Sequence, residues 1–211
     1  APGAIARWCA KHHVRLLHYS TDYVFPGRAE DRERYPGGYP EDAQQDPVNV
    51  YGRSKAEGEK AVLDSGCDAV VARVSWLCGR HGSNFVKTIA RLAAERPELR
   101  VVDDQLGCPA FCRDVVAQSL AILKTGWRGP VHLGSAGLCS WFEFAREIAA
   151  ATGSDCRVVP VPSEAYPTPA ARPRYSKLDV SAFEAATGVR CPQWTNSLAQ
   201  LMRDLEAPPH G

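Results

Sequence analysis

Nowhere in this chain is there a run approaching the roughly 18 to 20 apolar residues that a membrane-spanning helix needs. Residues 1 to 20 lack an apolar core set between a basic start and a small-residue cleavage site, so no secretory leader is read there. A soluble, cytoplasmic protein is therefore expected, with no membrane partner. An excess of one charge is missing too. Lys and Arg number 25 against 24 Asp and Glu, a net charge of +1, which gives nucleic acid no basic face to bind. Paired cysteines are also lacking. Cys9, Cys67, Cys78, Cys108, Cys112, Cys139, Cys156 and Cys191 are scattered without a C-x-x-C, which disfavours a zinc site or a disulfide framework and leaves free thiols. Cys108 and Cys112, near Asp103, Asp104 and Asp114, come closest to a ligand set, but no nearby histidine completes it, and no metal is expected. Methionine is reduced to Met202, and the chain opens on Ala1; loss of an initiator or a start inside a longer protein would each account for that.

What is present is enough for a core: 211 residues, 45% of them hydrophobic. Ile5, Trp8, Cys9 and His12 recur at helical spacing, and "VRLLHYS" follows as a buried strand that runs into the turn "TDYVFPG". Residues 26 to 48, rich in Pro and Gly and carrying "RAEDRER", read as a long surface loop, a lid or a solvated insertion. Apolar recurrence from Ser54 to Asp64 gives a helix whose Glu57 and Glu59 are expected in solvated ion pairs, and "DAVVARVSW" gives the next strand. There follow a helix stopped near Pro97, a brief strand, the helix "RDVVAQSLAILKTG" closed by Gly126, and the strand "GPVHLGS". "SWFEFAREIAAATG" is a helix opened by Ser140 with Glu143 three residues on, a capping-box pattern. Beyond it an extended proline-rich segment leads to a last helix over about 195 to 206 and a tail, "APPHG", expected to be loose. This alternation of apolar strands with helices predicts an α/β fold: a partial Rossmann-like parallel sheet with helices on both faces, plus a smaller mixed C-terminal region.

In such sheets ligands bind beyond the carboxyl ends of the strands, where "STDY" and "RVSW" fall. Tyr51 and Lys55 in "NVYGRSK" lie one helical turn apart, with Tyr51 in what reads as a first turn, and share a face. That pair suits hydride chemistry on a carbonyl: the oxygen becomes alkoxide-like and needs a proton, which a phenol, of unperturbed pKa about 10, delivers more readily beside an ammonium. Thr21, or Ser20 beside it, stands where a hydroxyl could hold the carbonyl oxygen. Y-x-x-x-K alone is a weak signal, and a pair of surface side chains is its commonplace reading.

The surrounding stretches change that. "YSTDYVF", "DPVNVYGRSKAEGE", "ARVSWLCGRHGSNFV", "VVDDQLGCPA", "HLGSAGLCSWFEFA" and "RPRYSKLD" come in order from about residue 3 to 205, and together they resemble the dTDP-4-dehydrorhamnose reductases, a family of extended short-chain dehydrogenases/reductases. The resemblance implies NADPH- or NADH-dependent reduction of the 4-keto group of a dTDP-sugar, in nucleotide-sugar and cell-surface polysaccharide synthesis, by a possible homodimer. It implies Tyr51 as general acid, Lys55 as the residue that lowers its pKa and holds the nicotinamide ribose, and Thr21 as the hydroxyl on the carbonyl. Ser20, Val74 and Ser75 would lie by the cofactor, and Asp22, Tyr23, Trp76 and Asn84 by the substrate; for Trp76 the other reading is core packing. Gln105 and Arg172 are further substrate candidates, while Trp141, Phe142 and Phe144, at helical spacing, read as core. Two departures touch loop geometry: Phe25-Pro26-Gly27 where the family often has "FDG", and Ala110 where it carries a threonine.

By the same resemblance, residues 1 to 135 would be a truncated cofactor-binding domain, with an excursion at about 80 to 112 into the substrate region, and 136 to 211 mainly substrate-binding. The family's G-x-x-G-x-x-G turn, whose backbone amides hold a pyrophosphate, is not among these residues. The expectation is a fragment, or a chain completed by a partner, with residues 14 to 19 left as an edge strand and weak NADPH binding when alone. A non-catalytic alternative is a binding subunit like the regulatory subunit of methionine adenosyltransferase, which shares the fold.

Overall fold

The computed structural model describes residues 1–166 and 169–207; the tail from Pro208 onward and Pro167 lie outside the described residues. Helix α1 (Pro2–Lys11) carries its proline in the first turn, where the missing N–H has no helical partner to lose. Strand β1 (Leu16–Thr21) runs into a 3-10 turn, Asp22–Val24. A one-turn helix α2 (Asp31–Arg34) stands in the long loop. That loop is anchored rather than solvated: Tyr39 is buried, stacks on Phe25 with ring centroids 4.5 Å apart, and donates its hydroxyl to Asp31. Helix α3 (Val50–Leu63) starts four residues before the apolar recurrence suggests, because Asn49 caps it: its Oδ1 accepts from Gly52 N–H at 2.8 Å.

Strand β2 (Ala69–Val74), β3 (Leu77–Cys78), α4 (Phe85–Glu95), β4 (Glu98–Val102), β5 (Leu106–Gly107), β6 (Ala110–Phe111) and α5 (Cys112–Leu123) follow. Then come β7 (Gly129–His132), β8 (Cys139–Ser140), α6 (Trp141–Ala151), β9 (Arg157–Val161), α7 (Ser181–Thr187) and α8 (Trp194–Glu206). The capping box at Ser140 is complete, with both reciprocal bonds formed. The segment read only as extended contains β9, which pairs in parallel with β4 and keeps Pro160 because it is not an interior strand.

The main sheet is parallel, in the order β1-β2-β7. Its register sets Thr21 opposite Val74, so the two chains leave β1 and β2 at the same level. Strand β1 pairs only with β2 among the described residues and forms the edge, with Tyr19 on it and Ile5 and Trp8 on α1 exposed. One apolar cluster (Val70, Ala72, Val131, Ile122, Phe183) fills one side of this sheet; a smaller one (Ala6, Val62, Val71) lies under α1 and α3. The largest core lies in a second lobe, where Phe144, Ile148, Val86, Leu198 and Trp194 join α4, α6 and α8 to the β4–β9 pair. No helix among the described residues is long and apolar enough to cross a membrane, and no group of three His, Cys, Asp or Glu side chains is placed to hold a metal.

Glu59 corrects the sequence reading. It is 1% exposed and forms a buried pair with Arg73 of β2 at 2.8 Å, with Gln45 donating to the same carboxylate at 2.6 Å. Glu57 is exposed and forms no ion pair among the described residues.

Candidate active site

A cleft of about 800 Å³ opens beyond the carboxyl ends of β1 and β2. The end of β1 and its turn bring Ser20, Thr21, Asp22 and Tyr23 to it, the end of β2 brings Val74, Ser75 and Trp76, and the first turn of α3 brings Tyr51. Of the twelve site candidates named from the sequence, nine line this cleft, Arg172 among them; Lys55 lies one helical turn from Tyr51, and Gln105 lines a neighbouring cavity instead. Asn84 lines neither: it caps α4, accepting from Lys87 N–H and donating to the Gly79 carbonyl at 2.7 Å.

Tyr51 is held by its neighbours more than by its own contacts. It is 54% exposed and meets Tyr23 edge to face, with ring centroids 5.8 Å apart. Gly52 lets α3 approach: a Cβ there would stand 2.2 Å from the Tyr23 carbonyl oxygen. The Asn49 side chain, besides capping α3, donates to the Ala171 carbonyl at 3.0 Å and ties the helix start to the segment that carries Arg172. Lys55 donates to the Tyr19 carbonyl at 2.6 Å, so its ammonium is pinned at the end of β1, one helical turn from Tyr51. Its charge reaches His18, whose pKa is lowered first by burial and then by Lys55.

Thr21 Oγ1 donates to Asp22 Oδ1 at 2.8 Å and accepts from Tyr23 N–H at 3.3 Å. Asp22 is fully buried, and desolvation raises its pKa to about 7. Burial, with the Asp22 charge second, also raises Tyr23. Ser20 Oγ is buried without a partner, while Ser75 Oγ donates to the Cys108 carbonyl at 2.6 Å.

The far wall is aromatic. Trp76 sits at φ 43, a left-handed conformation that a bulky residue adopts only under constraint. Its ring lies flat on Trp141, with centroids 3.7 Å apart and planes 13° apart, and Gly107 makes room, since a Cβ there would stand 2.7 Å from the Trp76 ring. Trp141, read from its spacing as core, thus lines the cleft together with Arg172. The capping box was the signal that could have found it, because it makes Trp141 the first residue of α6, at the exit of β8. Trp141 and Arg172 also line a second cavity of about 520 Å³, which Arg96, just past α4, and Arg100 of β4 line as well. Of the other residues read as core, Phe144 is buried in the second lobe and Phe142 packs against it.

A parallel sheet with Tyr51 and Lys55 on a helix beside its crevice, and a hydroxyl at the end of the strand that helix follows, is the architecture of the extended short-chain dehydrogenases/reductases. The match to known proteins narrows this. Residues 1–207 match the family model described as the RmlD substrate binding domain, and the chain belongs to that family. It is 40% identical to a dTDP-4-keto-6-deoxy-D-glucose reductase of Streptomyces niveus, over 96% of this chain and 69% of that protein. It is 38% identical to a dTDP-4-dehydrorhamnose reductase of Sinorhizobium fredii, over 94% of this chain and 69% of that one. A crystal structure of the dTDP-4-dehydrorhamnose reductase of Bacillus anthracis, in complex with NADP, superposes with a TM-score of 0.90 at 35% identity, covering 96% of this chain and 70% of that one.

Proposed function

We propose that this chain carries the substrate pocket and the proton-donating residues of an oxidoreductase that reduces the 4-keto group of a dTDP-4-dehydro-6-deoxy sugar with a nicotinamide cofactor. The observation that carries this is the convergence of Thr21 and Tyr51 on one cleft whose other wall is the Trp76–Trp141 stack, with Lys55 one helical turn from Tyr51 and bonded to Tyr19 of β1. When bound, the nicotinamide supplies the hydride. Its reactive end suits the residues present: Ser20 offers a buried, unpartnered hydroxyl, and the Lys55 ammonium lies at the same strand end. The glycine-containing turn between β3 and α4, with Gly79 and Gly82, shares no residue with this cleft; Gly79 borders a separate cavity with Arg80, His81 and Cys112.

The chain's own residues then act on the ketone oxygen. As carbon becomes tetrahedral, negative charge grows on that oxygen, and Tyr51 gives it the phenolic proton while the Lys55 ammonium, one turn away, stabilises the phenolate. Thr21 holds the same oxygen from the strand side. The sugar lies against Trp76, and the nucleoside diphosphate extends past Trp141 into the second cavity. Arg96, Arg100 and Arg172, which form no ion pair with a carboxylate among the described residues, offer it cationic partners there.

The test is NADPH oxidation in the presence of a 4-keto dTDP-sugar, followed for the protein and its Tyr51→Phe variant. A fall of roughly 10²- to 10⁴-fold in kcat, with sugar-nucleotide affinity little changed, is expected. Equal and measurable turnover in the two proteins would remove Tyr51 as the acid.

A further inference from the structure

Thr21 has one proton, and beside an ionised Asp22, whose Oδ1 lies 2.8 Å from Oγ1, that proton goes to the carboxylate. A hydroxyl can donate once and accept twice. Here Oγ1 accepts from Tyr23 N–H and donates to Asp22 Oδ1, which leaves one lone pair free. A ketone oxygen offers only lone pairs, so a Thr21 arranged in this way has nothing to give it. Turning the proton toward a ketone would take from an ionised Asp22 the closer of its two side-chain donors, Thr21 and Ser176, in a place where Oδ2 has no partner at hydrogen-bond geometry. Only the backbone amides of the turn and the Ser176 hydroxyl would remain near the charge. Burying a carboxylate so poorly satisfied is expensive.

We propose that Asp22 is a positioning residue that works in its protonated form: the carboxylic acid donates to Thr21 Oγ1, and Thr21 in turn donates to the substrate's ketone. Thr21 then accepts from Tyr23 N–H and from Asp22 and gives its proton to the substrate, which uses its full capacity. The proton on Asp22 is taken from solvent when the ketone binds to the ionised site. In the ionised site, by contrast, the free lone pair of Thr21 suits an alcohol, which can donate to it. The protonation state of Asp22 therefore sorts ketone from alcohol at the same carbon.

The surroundings leave Asp22 without a cation to hold it ionised. Tyr23 on its own turn and Tyr51 on α3 carry phenols rather than cations, and the Lys55 ammonium is engaged by the Tyr19 carbonyl. On the chain that passes behind, Arg174 is paired with Asp104 and Glu164, and Lys177 donates to the Pro36 carbonyl. Arg172 borders the cleft near Tyr23 rather than Asp22. Desolvation thus dominates and brings the carboxyl to titrate at about 7, where a modest change of pH moves it between its two states.

This inference rests on the reductase reading, and the experiment separates the two. Calorimetric titration of the 211-residue chain with a 4-keto dTDP-sugar and with its 4-hydroxy counterpart, from about pH 6 to about pH 9 and in buffers of unlike ionisation enthalpy, gives affinity and proton uptake together. Ketone affinity is expected to fall about tenfold per pH unit above the Asp22 midpoint, with close to one proton taken up, while alcohol affinity is not weakened. In Asp22→Asn, whose amide donates to Thr21 at every pH, the ketone slope should vanish; Thr21→Val should erase the difference between the two ligands. Parallel ketone and alcohol profiles, ketone binding without proton uptake, or an unchanged slope in Asp22→Asn would each overturn the assignment to Asp22. Binding of neither sugar nucleotide at any pH would instead overturn the reductase reading, and this inference with it.

Discussion

The two sides of the cleft are built in different ways. On the reactive side, the Glu59–Arg73 pair and the Lys55 bond to Tyr19 O tie α3 to the sheet, Asn49 ties its start to the Ala171 carbonyl, and Gly52 lets it approach the Tyr23 backbone. The apolar cluster beneath it is small. On the recognition side, Trp76 and Trp141 lean on a broad apolar core that runs through Phe85, Phe144 and Trp194. Hydrogen bonds and ion pairs specify one register and one angle, whereas packed apolar surface resists removal but yields to small shifts. A phenol that must meet one oxygen needs the first kind of support. A wall that receives a sugar face can stand on the second.

The largest test breaks the polar side. Glu59→Ala would leave the Arg73 guanidinium buried without its partner, at a cost of about 3 to 5 kcal/mol in urea unfolding. Replacing both members together, Glu59→Leu with Arg73→Met, should cost far less, since the expense lies in the orphaned charge. If the single and double variants lose the same stability, α3 is not held in the way described.

Next comes pH. The Asp22 carboxyl is raised in the folded state, so the folded protein binds its proton more tightly than the unfolded chain does. Stability is then highest below the unfolded pKa and declines as pH rises from about 4 through about 7, by up to about 4 kcal/mol for a shift from 3.8 to about 7. Asp22→Asn should abolish that decline and leave a variant more stable than the parent at about pH 9. Urea midpoints on either side of the window measure it, and a decline that persists in the variant would assign it to other groups.

What the sequence disclosed follows the same division. Local signals were legible: the Ser140–Glu143 capping box, the apolar run of β2, and Tyr51 and Lys55 at helical spacing. Partnerships across the chain were not. Glu59 looked like any surface glutamate on a helix, because nothing local says that Arg73, fourteen residues on and in a strand, lies opposite it. Trp141 was lost to its helical spacing with Phe144, although its place at the helix start turns it to the cleft. Strands of two residues such as β3, β5, β6 and β8 have no period to read, and α7, only seven residues long, offers too few turns for one. Asn84 went the other way: its motif suggested a ligand contact, and its local chemistry is that of a helix cap.

A smaller effect is expected at Gly52. Alanine there must move the Tyr23 carbonyl or tilt α3, since 2.2 Å is well inside van der Waals contact. Overpacking of this sort costs about 1 to 3 kcal/mol, and because Tyr51 is the adjacent residue, kcat should fall more than the affinity for sugar nucleotide. A Gly52→Ala variant with normal kcat would mean that Tyr51 tolerates displacement, and the contrast between the two walls would lose its meaning.

The mildest change sharpens the contrast from the other side. Trp141→Phe keeps an aromatic ring at the first residue of α6 but shortens the surface on which Trp76 lies. A wall supported by packing should absorb this for under about 1.5 kcal/mol, with KM for the sugar nucleotide rising and kcat nearly unchanged. The stack also gives a direct readout, because two indoles 3.7 Å apart and nearly parallel couple their transitions and produce a far-ultraviolet circular dichroism couplet that a single indole cannot. Loss of the couplet together with intact kcat would place Trp141 behind Trp76 as its support. Loss of kcat equal to that of Tyr51→Phe would instead mean that the wall fixes the reacting carbon as strictly as α3 fixes the proton, and the two sides of the cleft would then differ in material but not in tolerance.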